Sequence, residues 1–498
     1  MTDKIQIISY LKANLPTLSV GEPALCTDTK EFFIGGNSGN ISFVNGEELN
    51  KIATIANNIS VLQALIDLST DGSTIVIPKG VYDVSQININ GKNNIKIYGN
   101  GAILRGTNVS ADGIFNINNC SNILIEDLTF TYKNKPANFL AGKALCIKAY
   151  DYSFIRINNC KFDSFSNVAI LADKAKDDNG VAGGTTSRPI VIENCIFTNQ
   201  TITADAKGIA TSIYLGVDGE YATIVNNQFR KCYGAIRGYG SNALVDSNTI
   251  MSCFGEFSTT NALIYFDASS NGDGINSSKV IIQNNRMSHN SDITGIYCIG
   301  DKSRNERAYT IVNNHVLVHG RVNSYAIAVK YADGTLIDGN YTSLVGTNKN
   351  SAIMLEGTDK GVVGNNRMIG YGIKLNNSNC TESNNVLLSP ATGAELFIYL
   401  NGSYILNAIY TFRVNWNGIL GIETTIPNVT ATKESTGVYK VVHNLGHIKY
   451  VVNAIPDNTT SPYFVSIVRT ANDFKIYTFD KTGVAVDIPT MGTITIRS

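Results

Sequence analysis

The sequence predicts an all-β chain: a right-handed parallel β-helix flanked by a small N-terminal β module and a C-terminal β-sandwich. Three observations predict it. A motif close to I-x-I-x-N-N-x-F recurs along the middle of the chain, as in Ile155–Phe162 and Ile190–Phe197. A second short strand, A/G-I-x-L, precedes each copy, as in Ala169-Ile170, Ser212-Ile213, Ala326-Ile327 and Ala352-Ile353. The composition suits strands joined by tight turns, with 43% hydrophobic residues, 16% charged residues, 44 Gly and 10 Pro among 498.

The same arithmetic excludes several functions. Lys+Arg and Asp+Glu are 40 each, so no nucleic-acid partner is expected, because such surfaces are basic. No run approaches the roughly 18 apolar residues of a membrane span. Residues 1–16 lack a basic segment followed by an apolar one, so no signal peptide is expected. The 9 cysteines are odd in number and lack CxxC spacing. They read as buried free thiols of a protein made in a reducing cytoplasm, not as a disulfide framework.

The repeat explains most of the chain. Its last apolar position falls at Phe130, Phe162, Phe197, Phe229, Ile250, Met287, Val316, Thr342, Met368 and Leu387, with spacings between 19 and 37 residues. That range is typical of solenoids. One coil cannot bury its own apolar face, whereas stacked coils can. A variable period fits a parallel β-helix, which accepts loops of any length between its strands. Asn in a left-handed turn can bond the backbone of neighbouring coils. Cys160 with Cys195, and Cys232 with Cys253, are expected to stack as small buried groups.

Before the repeats, Ser60–Asp67 reads as a helix with Ser60 and Gln63 as a capping box. Such a helix must cover the first coil, whose strand edges would otherwise be exposed. Then come Thr74-Ile75-Val76-Ile77-Pro78-Lys79-Gly80-Val81-Tyr82 and Ile95-Lys96-Ile97-Tyr98-Gly99-Asn100-Gly101. This succession resembles the opening of the pectate-lyase-like β-helix superfamily, common in phage tailspikes, and the resemblance covers roughly residues 55–390. Gly21-Glu22-Pro23-Ala24-Leu25, Thr27-Asp28-Thr29 and Ile34-Gly35 resemble the N-terminal module of phage tail fibres. That resemblance implies that residues 1–45 attach to a phage tail or baseplate protein. The protein would then sit in the virion tail after synthesis in the host cytoplasm.

The β-helix with its helix is assigned to residues 46–389, a neck to 390–427 and the sandwich to 428–498. The sandwich resembles tail-fibre C-terminal domains, which implies a homotrimer or glycan binding. His443 and His447 read as ordinary loop histidines, and no metal or cofactor is expected.

No compact catalytic motif is present, so the chemistry must come from geometry. In the A/G-I-x-L strand the Ile points inward, so residues one and three places later point outward. The outward stripe is rich in Tyr and carboxylates. Tyr214, Tyr239, Tyr265 and Tyr297 offer a stacking platform for sugar rings, and Arg237 and Lys330 suit acidic substrate groups. Asp267 and Asp301, on adjacent coils, span either retaining or inverting glycosidase spacing. Glu356 lies roughly 14 Å from Asp267 at the usual strand spacing and needs another partner, such as Lys330, Asp333 or a neighbouring subunit. The polar insertion from Asp173 to Gly184 borders this stripe as a lip or as a passive loop, and its Asp177-Asp178 pair lacks EF-hand spacing.

The tailspike resemblance implies a protein that binds host cell-surface polysaccharide, such as capsule, exopolysaccharide or teichoic acid. Glycoside hydrolysis is the first chemistry. A lyase, with Arg237, Lys330 and a Tyr at the site, and a receptor-binding fibre without turnover are the alternatives.

Overall fold

Each sequence repeat folds into one coil of three short parallel strands. The I-x-I-x segment makes the first, as in Ile190–Glu193, and the residues after the Asn turn make the second, Ile196–Thr198. The A/G-I-x-L segment makes the third, Thr211–Leu215. Every strand pairs in parallel with its equivalent one coil on: Ile190 with Ala222, Phe197 with Phe229, and Ile213 with Ile236. The third strands stack into a twelve-stranded sheet, here the front sheet, running from Ile87–Asn90 to Phe397–Leu400. The whole is a parallel β-helix. This computed structural model describes residues 8–20, 22–26, 28, 32–36, 39–43, 59–134, 144–172, 189–201, 210–216, 221–238, 242–253, 262–267, 279–289, 293–300, 308–319, 324–344, 351–390, 397–400, 404–406, 409–416, 420–424, 429–443, 450–456 and 463–496.

Strand alternation sends one side chain of every pair into the bore. The Phe rings of the repeat stack on one another, with centroids 5.2 Å apart for Phe130–Phe162, 4.7 Å for Phe162–Phe197 and 4.8 Å for Phe197–Phe229. Ile250, Met287, Val316, Thr342, Met368 and Leu387 continue that line in register. Stacked identical rings lose no contact at the coil boundary, so burial and dispersion act together along the axis.

The Asn-Asn turn divides its work between two residues. The first Asn (226, 284, 313 and 365) is exposed, with φ between 53° and 56°. Asn tolerates this left-handed region better than other L-residues. The second Asn is fully buried and bonds to the next coil. Asn227 donates its backbone N–H and its Nδ2 to Asn248 Oδ1, at 2.9 and 3.0 Å. The pattern repeats through Asn285, Asn314, Asn340 and Asn366 to Asn385. In earlier coils Cys160 and Cys195 take the inner place after left-handed Asn159 and Asn194. Cys195 N–H still reaches Asn227 Oδ1 at 2.9 Å. All nine cysteines are buried and unbridged.

The helix before the coils is Ile59–Leu68, the one α-helix among the described residues. Gln63 does not act as the expected cap. Its Nε2 donates to Asn88 O and its Oε1 accepts from Asn88 N–H, both at 2.8 Å. The amide thus satisfies the open edge of Ile87–Asn90, the outermost front-sheet strand. That answers the edge problem directly, with a side chain mimicking a neighbouring strand.

Ile8–Tyr10, Pro23–Cys26, Phe32–Gly36 and Gly39–Phe43 form a separate four-stranded sheet over Leu18, Ala24, Cys26 and Phe33. After Val386–Pro390 the coil ladder continues through Phe397–Leu400 and Tyr404–Leu406. Two antiparallel four-stranded sheets follow, one built on Ile409–Trp416 and Thr490–Ile496, the other on Val438–Val442 and Asp473–Phe479. Phe412 and Phe474 meet between them with ring centroids 5.3 Å apart.

Candidate functional site

The front sheet positions the candidate residues. In Ala262–Asp267 the side chains of Ile264 and Phe266 enter the bore, so Tyr265 and Asp267 face outward. Strand register then fixes two outward lines. The first runs Tyr214, Arg237, Tyr265, Tyr297, Ala328, Met354, Lys374. The second runs Asp267, Ile299, Lys330, Glu356, Asn376.

The first line is more enclosed than alternation alone suggests. Tyr265 and Tyr297 are 6% and 7% exposed and meet edge to face at 5.7 Å. With Ala328 and Met354 they make a small apolar cluster outside the helix wall, edged by Ile299 and Tyr325. The Arg237 guanidinium lies over the Tyr265 ring, 4.7 Å from its centre, a cation–π contact. Tyr214 and Arg237 are half-buried and flank this floor.

The second line carries the charge. Tyr265 OH donates to Asp267 Oδ2 at 2.7 Å. Lys330 Nζ lies 2.8 Å from Glu356 Oε2, both half-buried, and Tyr331 OH donates to Glu356 Oε1 at 3.2 Å. Burial alone would lower the Lys330 pKa, but Glu356 and Tyr297 outweigh it and raise it. Burial raises the Tyr297 and Tyr325 hydroxyls, despite the pull of Lys330. Burial, then Glu356, raises Tyr331. Lys330 therefore stays cationic and the three phenols stay neutral in ordinary conditions.

Asp267 and Glu356 stand three coils apart, about 14 Å at the usual strand spacing. That exceeds both glycosidase spacings. The residue facing Asp267 on the next coil is Ile299. Asp301, Tyr239 and the insertion after Ala172 lie outside the described residues, as does His447. Asp333 is occupied elsewhere: its Oδ1 accepts the Asp359 N–H at 2.7 Å. His443 is buried against Phe474 at 6.0 Å. Tyr325 and Tyr331, which the repeat did not single out, sit just before and just after the strand Ile327–Lys330. Alternation assigns faces within a strand and does not reach such corner positions.

Residues 146–340 match a family described as right handed beta helix region. No curated protein matches the sequence. A tailspike protein variant of E. coli bacteriophage HK620, in complex with pentasaccharide, is similar in structure. It has 12% identity and a TM-score of 0.48, over 94% of this chain and 97% of that one. A PL6 alginate lyase complex with trisaccharide matches at 13% identity and a TM-score of 0.43, over 85% and 92%. The A-module of the Azotobacter vinelandii mannuronan C-5 epimerase AlgE6 matches at 13% and 0.41, over 70% and 94%. The family match and the coil-by-coil ladder agree that the central body of this chain is a right-handed parallel β-helix.

Proposed function

We propose that the protein is a tailspike that binds a host cell-surface polysaccharide along the front sheet and depolymerises it by glycoside hydrolysis. One observation carries the proposal. Tyr214, Arg237, Tyr265 and Tyr297 form one register line beside Asp267, Lys330 and Glu356, at the pitch of the coils. An extended polymer laid along the axis meets ring edges, a cation and carboxylates in turn. Tyr265 and Tyr297 supply an apolar floor, with Tyr214 and Arg237 at the end of the line nearer the N-terminus, and Tyr239 contributes a further ring to sugar binding. Lys330 takes an acidic group of the substrate. Asp267 and Asp301 serve as the carboxylate pair. Glu356 is held by Lys330 and Tyr331 and acts with a group other than Asp267.

The assembly is part of the same proposal. Residues 1–45 attach the chain to a phage tail or baseplate protein, which places it in the virion. Residues 46–389 bind the glycan, 390–427 form the neck, within which 397–400 and 404–406 extend the coil ladder and 409–416 and 420–424 join a C-terminal sheet, and 428–498 support a homotrimer. An outward apolar line on the first-strand sheet, Leu244, Ile281, Leu336 and Val362 with Thr310 among them, offers a face on which copies pack.

β-Elimination is the second reading, favoured because Lys330 pairs with Glu356 and its charge acts on the buried Tyr297 phenol. The test incubates the protein with capsule, exopolysaccharide and teichoic acid from candidate hosts. Polymer size, reducing ends and unsaturated-uronate absorbance are followed together. Shorter polymer with new reducing ends and flat absorbance supports hydrolysis, with Asp267→Asn and Asp301→Asn each inactive. Rising absorbance assigns the lyase reading. Binding without shortening, on the polymer of the true host, overturns the enzyme and leaves a receptor-binding fibre.

A further inference from the structure

A different face of the β-helix carries a second ordered line. Arg286, His315, Tyr341 and Arg367 are consecutive outward partners on the second-strand sheet, each one coil from the next. Each directly follows a ladder Asn: Asn285, Asn314, Asn340 and Asn366. Their backbone N–H groups donate to Asn248, Asn285, Asn314 and Asn340, at 2.8 to 2.9 Å. The buried Asn ladder therefore sets the pitch of these four side chains.

The chemistry of the line is coherent. His315 and Tyr341 meet edge to face with centroids 4.7 Å apart, both half-buried. An exposed guanidinium stands at each end, the two about 14 Å apart at the usual strand spacing. Neither makes an ion pair among the described residues. Asp338 accepts from Asn365 Nδ2 at 2.8 Å and Glu382 from Asn385 N–H at 3.3 Å. Beyond the line lie Leu317 and Ile369, half-buried, and exposed Leu388. Rings between two uncommitted guanidiniums, on a wall that does not need to reorganise, match a polymer that offers sugar faces and spaced anions.

We propose that Arg286, His315, Tyr341 and Arg367 form a second binding site, for an acidic polysaccharide. The guanidiniums take its carboxylate or phosphate groups and the His315–Tyr341 pair packs against a sugar face. The site lies on a different sheet from the Tyr265–Glu356 region and does not depend on which bond is cut there. It would hold an acidic strand to the fibre wall between or during encounters with the front sheet.

The test measures retention of the full-length protein on three immobilised polymers: polygalacturonate, poly(glycerol phosphate) teichoic acid and neutral dextran. Four forms are compared: wild type, Arg286→Gln/Arg367→Gln, Arg286→Lys/Arg367→Lys and the front-sheet variant Arg237→Gln/Lys330→Gln. The expected result is retention on one acidic polymer and not on dextran, weakened about tenfold in the double Gln variant. The double Lys variant keeps part of it, and any weakening in the front-sheet variant, which lacks the acidic-group contacts proposed for that sheet, is separate from the loss in the double Gln variant. Preference for polygalacturonate assigns carboxylate, and preference for teichoic acid assigns phosphate. No retention on either acidic polymer, or equal retention by the double Gln variant, overturns the proposal. Loss confined to the front-sheet variant also overturns it while leaving the front-sheet reading intact. A change of mass by light scattering in the double Gln variant makes the line a contact between copies and overturns the site.

Discussion

Replacing Asn314 by Ala tests whether the buried Asn ladder, and not the apolar bore alone, holds the coils in register. Asn314 Oδ1 accepts from Asn285 N–H at 3.0 Å and from Asn285 Nδ2 at 2.9 Å. Its Nδ2 donates to Ile282 O at 2.8 Å and to Asn340 Oδ1 at 3.0 Å. After truncation, Asn340 Oδ1 keeps the Asn314 N–H, and Asn285 Nδ2 keeps Val245 O. The Asn285 N–H loses its partner in the bore, while the Ile282 C=O keeps its ladder bond from the next coil and loses only its second. One orphaned buried group at about 1–3 kcal/mol, with the lost second bond at about 1 kcal/mol, gives a cost of about 3 kcal/mol. The adjacent Asn284 is a control. It is exposed, sits at φ 55° and donates to Asp246 Oδ1 at 2.9 Å. Asn284→Ala costs about 1 kcal/mol, mostly left-handed strain. Coils contact only their neighbours, so the damage is local. Hydrogen exchange by mass spectrometry should show protection falling about a hundredfold in peptides covering 280–289 and 309–318. Peptides covering 155–163 should be unchanged. If Asn314→Ala costs no more than Asn284→Ala, the ladder is an ornament of the fold and the argument fails.

Three further outcomes follow from the same geometry. Phe197, fully buried between Phe162 and Phe229, should cost about 3–5 kcal/mol when cut to Ala, read as a lowered guanidinium midpoint; a shift equivalent to less than about 1 kcal/mol would contradict the stacking account. The native protein should react with no equivalents of a thiol reagent and with all nine once denatured, because every cysteine is buried and unbridged, and burial pushes Cys232 and Cys380 up to about 12. Burial alone would raise the Asp246 pKa, but bonds from Asn284, Gln283 and Ser247 outweigh it and hold it low. Its contribution to stability is therefore complete above the unfolded carboxylate value near about pH 4 and is lost as pH falls through the lowered folded value. Melting temperature should drop less on acidification in Asp246→Asn than in wild type, and parallel curves would sink that assignment.

What was legible in the sequence and what was not separate along one physical line. The wall repeats, so it can be read. Phe130, Phe162, Phe197 and Phe229 hold one position in four coils, and the positions after them keep the same register although Phe gives way to Ile, Met, Val and Thr. The Asn pair marks the turn between the first and second strands of most later coils, because a residue tolerant of positive φ fits first and an amide that bonds both neighbouring coils suits the second place, which Cys160 and Cys195 take in earlier coils. Alternation also places Tyr265 and Asp267 on the outer face correctly. It says nothing of what lies over that face. Tyr265 and Tyr297 are enclosed because Ala328 and Met354, further along the same line, and Tyr325, at a coil corner, gather beside them. Ala328 and Met354 lie on the repeat's own line, but the repeat does not say how closely their side chains pack, and Tyr325 comes from a corner that the repeat does not mark. Gln63 shows the same limit. Its spacing from Ser60 suggests a local cap, whereas Asn88, 25 residues away, takes both ends of the amide. Local rules fail where a side chain finds a better partner across the fold. In a solenoid such partners concentrate at the corners and the ends. The chemistry therefore has to be sought at the corners flanking Asp267, Lys330 and Glu356, where loop length changes from coil to coil while the wall behind them does not.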